Sequence, residues 1–119
     1  MATFTKKKLS GSTDGLAIKV TGTSTATTVT VHTAVASTTA GVFDEIWLYA
    51  NNTSTSAVKL TLEWGTATAA DGNIELTIAA EAGLVLVVPG LILQNSKVVK
   101  AFAGTADVIL LSGFVNAIA

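Results

Sequence analysis

Cysteine and arginine are both absent from this chain of 119 residues, and proline and histidine occur once each. Without cysteine there are no disulfides, no thiolate nucleophile and no thiolate metal site, a composition that fits folding in a reducing cytoplasm. Seven lysines against eight acidic residues leave a formal net charge of -1, so a broad basic face for nucleic acid is not expected. Long apolar runs are missing as well. The most hydrophobic stretch, residues 84–93, is interrupted by Pro89 and Gly90 and falls far short of the roughly 20 residues of a membrane-spanning helix. The lysines at Lys6, Lys7 and Lys8 have no apolar segment behind them, so neither a secretory leader nor a membrane partner is expected.

The chain is nonetheless hydrophobic. Half of its residues are apolar and 13% are charged, which excludes disorder driven by charge and leaves burial as the fate of most side chains. The length suits one domain with one core. Threonine, valine and isoleucine are plentiful, and β-branched side chains fit a pleated surface better than a helix. Runs of five to eight such residues recur between clusters of Gly, Asn, Asp and Ser. That spacing predicts an all-β domain, a single antiparallel β-sandwich of eight or nine strands.

Residues 1–14 are polar and aperiodic and are read as an N-terminal arm, with Phe4 and Leu9 as its anchors and residues 15–119 as the sandwich. Alternation predicts strands at 16–20, 27–35, 42–50, 58–64 and 74–78. In the second of these, Val29, Val31 and Val35 share one face, which puts His32 on the polar side. The fourth places Lys59, Thr61 and Glu63 toward solvent. Residues 84–88 form a buried strand that Pro89 and Gly90 are expected to end, with further strands at 91–93, 97–103 and 107–117. The strand at 42–50 differs from the others, since Phe43, Trp47 and Tyr49 lie on one parity and Ile46 and Leu48 on the other. A strand apolar on both faces needs a second partner, either another element or another subunit.

Motifs for chemistry are few. His32 would serve as a general base only beside a hydroxyl nucleophile, and no serine carries a nucleophile-elbow sequence around it. One histidine without cysteine is a poor zinc ligand set, and neither Asp71 nor Asp44 with Glu45 sits in a calcium-loop spacing. The carboxylates are scattered rather than paired, and the glycines punctuate strands rather than forming a phosphate loop. No residue is therefore assigned to catalysis, to a cofactor or to a metal. Two surface features stand out: Lys6, Lys7 and Lys8 beside Phe4, suited to docking on a partner, and the aromatics Trp47, Tyr49 and Phe114, suited to subunit packing. A sugar-stacking platform of Trp47, Tyr49 and Trp64, with Asn51 and Asn52 supplying hydrogen bonds, is the competing use of the aromatics.

The segments EIWLYANN (45–52), VKLTLEWG (58–65), LVLVVPGL (84–91) and SGFVN (112–116) resemble small virion proteins of tailed bacteriophages, most of all capsid decoration, or cement, proteins. The resemblance spans residues 43–119. It implies a sandwich of jelly-roll type on the outer capsid surface, made in the host cytoplasm. It further implies a homotrimer that binds neighbouring subunits of the major capsid protein. The low charge, the doubly apolar strand and the apolar segment 114–119 suit a subunit that buries surface against copies of itself. Phe4 and Lys6 to Lys8 are then expected on the shell, with Trp47, Tyr49 and Phe114 between subunits. The alternative is a tail or fibre domain that binds glycans.

Overall fold

A computed structural model describes residues 2–119 and consists of nine strands in two antiparallel sheets. The strands are β1 (Phe4–Lys8), β2 (Ile18–Lys19), β3 (Val29–Thr33), β4 (Phe43–Asn52), β5 (Val58–Trp64), β6 (Asn73–Ile78), β7 (Val85–Leu93), β8 (Val98–Ala103) and β9 (Ile109–Ile118). One sheet has the order β1-β9-β4-β7, with β2 also paired to β9, and the other has the order β3-β8-β5-β6. The chain crosses between sheets at almost every connection, and only β5 and β6 form a hairpin within one sheet. This is the connectivity of a jelly-roll sandwich.

The segment expected as an arm is built into the sheet. β1 runs antiparallel to the far half of β9, Phe4 opposite Ile118 and Lys8 opposite Phe114, while β2 takes the same flank of β9 lower down, Ile18 opposite Leu111. Between them the chain leaves the sheet and plugs Leu9, 1% exposed, into the core. β1 and β2 thus share one strand position, so eight positions hold nine strands.

The core lies between the sheets and is filled by one parity of each strand. In β4 these are Ile46, Leu48 and Ala50, and in β5 Val58, Leu60 and Leu62, facing Val99, Ala101, Leu111 and Val115 from β8 and β9. Each large aliphatic side chain so buried contributes about 1.5–3 kcal/mol. The turn after β4 is held by Asn52, which is fully buried. Its Nδ2 donates to the carbonyls of Ser56 (2.9 Å) and Ile78 (3.0 Å), and its Oδ1 accepts from the Ser54 amide and hydroxyl.

Three local expectations are corrected. Pro89 and Gly90 do not end a strand: β7 runs through them as one element, and the register with β4 slips between Leu91 and Pro89. Gly90, at φ +82°, is the extra residue of that bulge, a conformation glycine adopts without a Cβ penalty. In β3 a second bulge falls between Thr30 and His32, so Val31 and His32 both turn inward and His32 is buried, not solvated. In β5, Thr61 and Glu63 are 3% exposed rather than open to water. For Glu63 the cover is the turn at Thr25–Thr27, whose Thr25 hydroxyl donates to the Glu63 carboxylate.

Candidate interaction face

The two sides of β4 have different fates. Its even-numbered residues are buried and its odd-numbered residues, Phe43, Glu45, Trp47, Tyr49 and Asn51, remain partly exposed on the outer side of the sheet. Register with β9 sets Ile118, Asn116, Phe114, Ser112 and Leu110 opposite them on that same side. No element of the described residues lies across this face.

Side chains on the face lock one another. Trp47 and Phe114 stack with ring centroids 6.0 Å apart and planes 11° from parallel, and the Lys6 ammonium sits 4.3 Å from the centre of the Phe114 ring. On the other flank Trp47 rests against Gly90, where an added Cβ would stand 2.9 Å from the indole. Trp47 Nε1 donates to Glu45 Oε1 at 2.7 Å and Asn116 Nδ2 donates to the same oxygen at 3.0 Å. These bonds, the one from Trp47 foremost, hold the Glu45 carboxyl below its ordinary value of 4.5 and therefore ionised. Glu45 Oε2 has no protein donor among the described residues.

The borders of the face differ in character. Lys6 and Lys8 of β1 and Lys19 of β2, opposite Asn116, Phe114 and Leu110 of β9, form a basic edge. Along β7 the edge is apolar, with Leu86 45% and Ile92 54% exposed opposite Tyr49 and Glu45. Phe4, 71% exposed, occupies one corner. Tyr49, Trp47, Phe114, Phe4, Lys6 and Lys8, expected in two separate roles, are thus neighbours on one surface. Lys7 points to the other side of β1, toward His32 and Asp44. Lys19, Leu86 and Ile92 were not singled out from the sequence, and Glu45 was weighed there with Asp44 for calcium rather than for this face; strand parity would have placed Glu45 here, and Lys19 and Ile92 become visible only with the pairing register.

The sugar platform is not assembled as expected. Trp64 belongs to the opposite sheet, where it packs on the core, and Asn52 is committed to its turn. His32 is likewise engaged. Its Nδ1 accepts the Ser10 amide at 3.0 Å, which fixes the proton on Nε2, and Nε2 donates to Asp44 Oδ2 at 2.7 Å. The Ser10 hydroxyl accepts the Thr33 amide instead of facing the ring. Asp44 is 4% exposed; its Oδ2 also accepts the Val35 amide, and Oδ1 is buried with no partner among the described residues.

Three of the four sheet edges resist further strands, while the fourth, β6, is regular and carries neither lysine nor proline. β1 carries three consecutive lysines, β3 is bulged, and β7 has Pro89 and two register slips. Such devices suppress edge-to-edge pairing, so on the β1-β9-β4-β7 sheet the open face is the surface left for association. The fold and face together define a class: a jelly-roll sandwich with one aromatic sheet face uncovered and the edges of that sheet protected. No family model, curated protein or solved structure matches the chain.

Proposed function

We propose that this chain is a structural, non-enzymatic protein of a tailed-phage virion that decorates the capsid and stabilises it by binding neighbouring major capsid subunits as a homo-oligomer. The observation that carries the proposal is the uncovered outer face of β4 and β9, where Trp47, Tyr49 and Phe114 stand partly exposed beside Phe4. An uncovered aromatic surface of this kind is suited to a protein contact. The resemblance in residues 43–119 supplies the setting, and for the oligomer it implies three copies. Stabilisation is mass action: a subunit that binds only the assembled shell shifts the equilibrium toward it, and several contacts per oligomer strengthen the hold.

The test is to add the purified protein to heads that lack it. Saturable loading at a symmetry-compatible copy number, with heads that resist heat and dilution better, is the expected outcome. Absence of loading would remove the capsid role. The glycan-binding alternative is supported by Trp47, Tyr49 and Asn51 sharing the outer side of β4. Against it, the Trp47 N–H is already engaged by Glu45 and the ring is stacked on Phe114. Retention on a glycan array, lost in Trp47→Ala with folding intact, would favour it.

A further inference from the structure

We infer that the outer face of the β1-β9-β4-β7 sheet pairs with the same face of a second copy of this chain, about a two-fold axis running along the strands between β9 and β4. The inference rests on the structural-subunit reading above, deepens it by naming the occupant of the face and the symmetry of the contact, and sets two copies against the three that the resemblance implies.

Size is the first argument. Four strands about 4.8 Å apart and ten residues rising about 3.3 Å each make a surface of roughly 20 by 33 Å. That approaches the ~800 Å² per partner of a stable interface once side-chain relief is counted. The centre of the face is aromatic and the edges of the sheet are blocked, so a second sheet laid face to face, crossing by about 30° as strand twist requires, is the packing that covers it.

Charge then selects the axis. Across the sheet the rows read Lys6, Asn116, Glu45, Ile92 and Lys8, Phe114, Trp47, Pro89. A two-fold axis along the strands between β9 and β4 reverses each row onto itself. Trp47 then meets Phe114 of the second copy, and Glu45 meets Asn116 with Lys6 one strand away, within reach of the unengaged Oε2. Lys6 lays its aliphatic stem on the apolar β7 edge of the other copy, as long cationic side chains do, while the Lys8 ammonium stays on the Ser12 carbonyl of its own chain at 3.1 Å. The two basic edges end up on opposite sides, about 14 Å apart by strand spacing and beyond a Debye length of about 8 Å. An axis perpendicular to the strands would instead stack lysine edge on lysine edge. A self-complementary face closes as a pair, whereas three copies need two different patches.

The experiment is light scattering on the full chain at roughly 100 µM, a concentration that populates micromolar association, with three variants beside it. Wild type is expected at twice the chain mass. Lys6→Glu, on an exposed edge residue, places like charge beside Glu45 and is expected to weaken pairing about tenfold, and Glu45→Lys likewise. The double variant Lys6→Glu/Glu45→Lys restores the attraction and the mass, a rescue that a merely structural role for either residue would not produce. A monomer, a three-copy mass, or a dimer indifferent to Lys6→Glu overturns the inference, as does failure of the double variant to recover. Head loading is measured separately: a monomer that loads heads overturns the pairing and leaves the capsid role standing, and a dimer that ignores heads does the reverse.

Discussion

Trp47 and Gly90 are a matched pair: the indole of β4 occupies the space that a side chain on the β7 bulge would need, and Gly90 holds a φ of +82° to leave it. Gly90→Ala is expected to cost about 2–3 kcal/mol, from the left-handed backbone and from a methyl driven against the ring. Urea unfolding reads the loss. A midpoint within error of wild type would mean that the bulge relaxes freely.

The buried pair His32 and Asp44 gives a second expectation. His32→Ala removes the Nε2 donor from a carboxylate that already has one oxygen unpartnered, and is expected to destabilise by about 3 kcal/mol. Replacing both polar groups, as in His32→Phe/Asp44→Leu, leaves nothing unsatisfied and should recover most of that loss. Thermal denaturation of the two variants side by side makes the comparison.

Asn52 is a donor by necessity. In Asn52→Asp the side chain keeps its size but presents oxygen to the carbonyls of Ser56 and Ile78, so a loss of about 2–3 kcal/mol is expected. Asn52→Ala, which leaves the carbonyls unpaired without adding repulsion, should fall less far. Chemical denaturation at neutral pH ranks them.

Glu45 predicts a pH window. Its carboxyl is held lower in the folded chain than the ordinary 4.5, so its ionised form stabilises the fold above 4.5 and that contribution disappears as the pH falls through the folded value. Wild type should therefore lose its advantage over Glu45→Gln below 4.5. Melting temperatures of both from neutral pH down to about 3 test this, and parallel curves would show that the Trp47 and Asn116 bonds do not favour the anion.

Much of the architecture was readable in the residues. β5 starts and ends where alternation placed it, at Val58 and Trp64, and the double apolarity of β4 called for a second partner without saying whether its own chain or another supplies it. What alternation misses is the residue that breaks it. One extra residue at Val31 turned His32 inward, and one at Gly90 carried a strand through a sequence that reads as a stop. Burial of Glu63 depends on a turn almost forty positions earlier, and nothing local to β5 reports it. The interaction face was legible as residue types but not as one surface. Phe4, Lys6 and Lys8 reach Trp47 and Phe114 only through pairing between the two ends of the chain.

That pairing has a consequence for biogenesis. Phe4 meets Ile118, more than a hundred residues later, so β1 finds no strand to join until β9 has left the ribosome. For most of translation the edge that later carries Lys6 and Lys8 is an open chain, and β4 exposes its aromatic side without the β9 ring that stacks on it. Non-local closure of this kind slows folding and prolongs the exposure of sticky strands. Lys6, Lys7 and Lys8 keep that unpaired edge charged until it becomes the border of a sheet.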